Sequence, residues 1–186
     1  MSYRFRLYEY NKDLVDELQE CKTHDDVYYV VHEEERENCA DPEELYLFEL
    51  GSELFDLGSN FDDAFVIIAN GTPLFATEEL QEHFEHFDPV IIGKEEMLYI
   101  IKQYKQKIID FYEDLLKEPN QKGQYGKMRR HIENQVMEWK TLHVVNTHEN
   151  TESLCQSWLY EYAIFDLVRI YKTFDWENKR MIFMGW

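Results

Sequence analysis

Cysteine is too scarce in this sequence to build a framework. Cys21, Cys39 and Cys155 are odd in number and widely separated, with no CxxC pair and no Cys/His zinc spacing. Such a set points to free thiols in a reducing compartment. Glycine is scarce as well, at seven residues, and neither GxGxxG nor a P-loop occurs, which argues against a nucleotide-phosphate cradle. There is no GxSxG turn for a hydrolase serine, and no cysteine has the context of a known thiol nucleophile, so each thiol reads as a small buried group. Apolar runs such as 65–69 and 90–92 fall far short of the ~20 residues needed to cross a bilayer. The first ten residues hold Arg4 and Arg6 but no apolar stretch or cleavage site of a secretory signal. The expected compartment is the cytoplasm. Repeats, low-complexity tracts and linkers are missing too, so one domain over residues 1–186 is expected.

Aromatic residues, by contrast, are plentiful: thirteen Tyr, twelve Phe and four Trp. They promise a firm core, and the apolar fraction of 44% is too high for a disordered chain. Charge is strongly one-sided. Residues 1–88 carry 24 Asp and Glu against 5 Lys and Arg, whereas residues 89–186 carry 14 against 14. An acidic half repels nucleic-acid backbone and anionic membrane and attracts basic surfaces, so neither nucleic acid nor membrane is an expected partner.

Patterning predicts an α+β fold, a mainly helical single domain with a small sheet that includes the N- and C-terminal segments. Strands are predicted at 3–10, 27–31, 65–69 and 181–186, with the first and last pairing. Asn11 is expected to cap a helix to about Cys21. Asp41-Pro42-Glu43-Glu44 reads as the start of a helix ending near Leu57, with Gly58 as its left-handed stop. Residues 70–73 form a turn cluster, and Thr77 caps a short helix broken at Asp88-Pro89. Residues 94–117 are the clearest helix: Met97, Ile101, Tyr104, Ile108, Phe111 and Leu115 form a coiled-coil-like seam, widened by Leu98, Ile109, Tyr112 and Leu116. Two more helices are predicted at 127–142, aligned on Met128, Ile132, Val136 and Trp139, and at 152–173.

Four groups carry possible chemistry. His83 and His86 stand three residues apart on a helix beside Glu79 and Glu82, within reach of one metal ion. Their spacing differs from HExxH, and the bland alternative is an amphipathic helix with Phe84 and Phe87 inside. The run His32 to Glu37, and the pairs Asp25-Asp26 and Asp62-Asp63, read as solvated surface, because open carboxylates lack the desolvation that tunes an acid/base pair. Lys122, Lys127, Arg129, Arg130 and His131, with Tyr125, form the one basic cluster, a poor electrostatic footprint for nucleic acid beside so much acid. The acidic half itself is the strongest signal.

The favoured expectation is a non-enzymatic acidic binding protein that occupies a basic surface of a protein partner, as inhibitors, immunity proteins and anti-defence proteins do. No cofactor is expected, and a homodimer is compatible with the sequence. Glu33, Glu34, Glu35, Glu37, Asp41, Glu43 and Glu44 are the expected acceptors for Lys and Arg. Tyr28, Tyr29, Tyr46 and Phe48 are candidate aromatic anchors. The alternatives are a metal-dependent enzyme built on His83 and His86, and a soluble protein whose acidity serves solubility only.

Overall fold

The computed structural model describes residues 4–35, 47, 50–58, 61–83, 89–117, 125–143 and 160–185. In chain order these form β1 (Phe5–Asn11), α1 (Lys12–Glu20), α2 (His24–Glu35), β2 (Ser52–Gly58), α3 (Phe61–Ile68), β3 (Thr72–Pro73), α4 (Glu78–His83), β4 (Val90–Ile92), α5 (Lys94–Lys117), α6 (Tyr125–Thr141), α7 (Tyr160–Thr173) and β5 (Lys179–Gly185). The fold class is α+β. The described chain divides into two compact units, Met1–Met97 with Thr173–Trp186, and Leu98–Lys172.

The first unit is built on an antiparallel sheet of order β2-β1-β5-β4-β3. Strands β1 and β5 pair from Phe5↔Gly185 to Asn11↔Lys179, so the expected union of the first and last segments is borne out. Alternation explains why β1 lies inside the sheet. Phe5 and Leu7 point to one face, Tyr8 and Tyr10 to the other, and all four are buried. On the first face the Phe5 ring stacks on Phe183 with centroids 5.7 Å apart. On the second face Tyr8, Tyr10, Ile182 and Met184 join Leu14, Val15 and Leu18 of α1, Val27 and Val31 of α2, and Leu80 of α4 in one core. Three helices therefore cover one side of the sheet.

Several elements differ from the sequence expectation. Residues 27–31 lie in α2, not in a strand. Their β-branched side chains favour a strand, but the Thr23 and Asp26 pair overrides that preference. Asp26 N–H donates to Thr23 Oγ1 (3.2 Å), and Thr23 N–H donates to Asp26 Oδ2 (2.9 Å), a reciprocal cap that starts a helix. Val27 and Val31, four residues apart, then face the core. Residues 65–69 are likewise helical, within and just after α3. Ala64 and Ile67, three apart, are buried while Phe65 is 61% exposed. Asn70 Nδ2 donates to the Val66 carbonyl (2.6 Å), closing the last turn. The strand falls at Thr72–Pro73 instead, inside the expected turn cluster, pairing with β4 at residues 90–92, a segment the sequence reading left without an element.

The helix expected to run to Leu57 is contradicted at its C-terminal end, where Ser52–Gly58 is strand β2; residues 41–46 lie outside the described residues. Gly51 explains the close approach that brings β2 beside β1, because a Cβ there would run into the Tyr10 ring. Gly58 does adopt φ +68°, but as the end of a strand.

The second unit holds α6, most of α5 and most of α7. Helix α5 occupies the expected residues 94–117. Its seam is buried at Met97, Ile101, Tyr104 and Ile108, then passes to Ile109 and Tyr112, leaving Phe111 46% exposed. A straight helix with 3.6 residues per turn drifts away from a 3.5 repeat, which is why the last turns use the widening residues. In α6, Ile132, Val136 and Trp139 are buried as aligned, whereas Met128 is exposed. Lys105 Nζ donates to the Leu142 carbonyl (2.7 Å), tying α5 to the end of α6, and Trp139 packs on Phe165 of α7 at 6.0 Å. Helix α7 begins at Tyr160; the earlier residues of the predicted helix, 152–159, lie outside the described residues.

Candidate functional site

The outer side of the α1, α2 and α4 layer is rich in exposed acids. Leu14, Val15 and Leu18 fix which face of α1 looks inward. Asp13, Asp16, Glu17 and Glu20 are all exposed, spaced i, i+3, i+4 and i+7 along ~10 Å of helix. In α2 the inward positions Val27 and Val31 leave Asp25, Asp26, Tyr28 and Tyr29 outside. Tyr29 is 67% exposed and meets the Tyr28 ring edge-on at 6.3 Å. In α4, Thr77 Oγ1 accepts from Leu80 N–H (3.3 Å), capping the helix as expected and turning Leu80 into the core. Glu78, Glu79 and Glu82 then face out.

An open recess of about 420 Å³ joins two of these helices. It is lined by Gln19, Glu20, Cys21, Lys22, Ala76 and Thr77, so the acidic end of α1 lies beside the acidic start of α4. The Cys21 thiol, buried at its floor, donates to the Glu17 carbonyl at 3.4 Å. Burial pushes its pKa up, and neighbouring Asp26 and Glu17 add to the shift. A thiol held protonated is a poor nucleophile, in keeping with the sequence reading of this residue. Cys39 and Cys155 lie outside the described residues.

Pairing separates the acids into two kinds. Among the described residues, Asp13, Asp16, Glu17, Glu20, Asp25, Glu78, Glu79 and Glu82 have no Lys or Arg at ion-pair distance. Asp26 is spoken for by backbone: the Lys22 and Thr23 N–H groups donate to it and hold its carboxyl below the usual range. The acids at the rim of the sheet are neutralised. Arg6 bridges Glu53 (2.8 Å) and Asp56 (3.3 Å), Arg4 also meets Asp56 (3.3 Å), and Lys179 approaches Glu9 (3.7 Å). Burial pushes the adjacent Tyr8 hydroxyl up to about 12, although Arg6 pulls the other way.

The acceptors expected from sequence are only partly placed. Glu33, Glu34 and Glu35 stand in the last turn of α2, with their side chains outside the described parts. Glu37, Asp41, Glu43 and Glu44 lie outside the described residues, as do Tyr46, Phe48 and His86. His83 ends α4, and its side chain is likewise outside the description. Among the described residues no group of three His, Cys, Asp or Glu is arranged to hold a metal ion. In the basic cluster, Arg129, Arg130 and His131 are exposed on α6, and Arg129 pairs with Glu133 at 3.1 Å. The acids of α1 and Glu78 are functional candidates that only the structure brings forward, and Glu79 and Glu82 stand on this acidic layer. The signal for those of α1 lies in the spacing of 13, 16, 17 and 20 opposite Leu14, Val15 and Leu18.

Comparison with protein-family models, curated proteins and solved structures finds no match for the chain.

Proposed function

We propose that the protein is a non-enzymatic binding protein that occupies a basic surface of a protein partner through the outer side of α1, α2 and α4. The observation that carries this reading is the set of eight exposed or solvent-facing acids on one helical layer with no cation of their own among the described residues. Like charges held three and four residues apart destabilise the helix that bears them, so a bound cationic surface relieves a cost the free protein bears. Such a surface steers association from a distance and weakens as salt screens it beyond about 8–10 Å. The exposed Tyr28 and Tyr29 rings flank the acids and supply stacking area for guanidinium groups. A partner whose own nucleic-acid site is basic fits this chemistry, and inhibition by occupancy follows from it.

The test is a binding isotherm against a basic partner purified with the chain as bait. Reversing Asp16, Glu17 and Glu20 together to Lys should weaken binding by roughly 10- to 100-fold, at about 0.5–1 kcal/mol per charge. Raising salt should weaken the wild type far more than the triple variant. Affinity indifferent to both, or a bait that retains no basic protein, rejects the proposal.

A further inference from the structure

We draw no further inference here: the strongest candidate, the outer edge of strand β2 with its half-exposed Leu54, Phe55 and Leu57, is interrupted by two register shifts against β1 and nothing in the structure shows what covers it.

Discussion

The two compact units obey opposite rules of charge. The unit comprising Met1–Met97 and Thr173–Trp186 holds 28 Asp and Glu against 8 Lys and Arg, a net of −20; Leu98–Lys172 holds 10 against 11, a net of +1. The second unit also pairs its acids locally. Glu113 meets Lys140 (2.5 Å), Asp114 meets Lys117 (2.8 Å), Glu133 meets Arg129 and Asp166 meets Arg169 (2.6 Å). Asp110 and Glu138 accept hydrogen bonds from Gln106 and Gln135. Asp110, Glu113, Asp114, Glu133, Glu138 and Asp166 thus each have a partner. In the first unit Arg4, Arg6 and Lys179 pair with acids of the sheet, while the exposed acids of α1, α2 and α4 outnumber Lys12 and Lys22 and have no Lys or Arg at ion-pair distance among the described residues. Composition by itself would be met by scattering the acids; what the fold adds is their segregation from the available cations. Among the described residues, the acids of one helical unit are paired locally while those of α1 and α4 are not.

If charge alone distinguishes the units, their cores should be equally firm. Leu18 and Trp139 are both fully buried, one in each unit. Leu18→Ala should cost about 2–5 kcal/mol and Trp139→Ala about 3–5 kcal/mol in denaturant unfolding. A loss below 1 kcal/mol in the first unit would mean that its helices are held loosely, and the fixed acidic layer would go with them.

Alkaline titration probes the boundary between the buried face of the sheet and its charged rim. Tyr8 is 3% exposed, and burial pushes its hydroxyl up to about 12 from the ordinary value of 10. A raised value means that the neutral form is the one the fold favours. The associated stability is complete below pH 10 and disappears as pH rises to about 12. Tyr10, more deeply buried, is raised further. Tyr8→Phe should remove the part of the alkaline loss between pH 10 and 12. An unchanged pH profile would place the transition in other groups. A smaller effect is expected at the start of α2: Thr23→Ala should cost about 1 kcal/mol by deleting half of the reciprocal cap, seen as a lower thermal midpoint.

How much of this was legible in the sequence depends on the length of the signal. The strand at β1 and the 24-residue α5 could be read because many residues agree on one period. The pairing of β1 with β5 is suggested by an alternating first segment and an apolar last one, each strand-like and at opposite ends of the sequence. Short apolar runs misled, because 65–69 and 27–31 contain the same residue types a strand would use, and five residues do not separate a period of 2 from one of 3.6. In both places polar residues outside the run decided the outcome: Thr23 with Asp26, and Asn70 with Gly71. The acidic character of the first half is plain in composition, whereas the acidic face of α1 emerges only when positions 13, 16, 17 and 20 are set against Leu14, Val15 and Leu18. Which carboxylates have cations nearby depends on tertiary placement of Arg4, Arg6 and Lys179, and no local pattern encodes it.

The finest test of the comparison uses single neutralisations, whose effects should have opposite signs in the two units. Glu17 has Asp13 four residues before it and Glu20 three after, with no cation among the described residues to offset them. Each like-charge pair of this spacing costs about 0.2–0.5 kcal/mol. Glu17→Gln should therefore stabilise the protein by a few tenths of a kcal/mol at low salt, and the gain should fade as salt is added. Glu113, by contrast, is held by Lys140 across two helices, so Glu113→Gln should destabilise by about 0.2–1 kcal/mol. The two measurements share one substitution chemistry, which removes the residue type itself as an explanation. Equal signs would mean that local pairing does not distinguish the two surfaces, and the acids of α1 would then be ordinary solvated charge with no pull toward a basic partner.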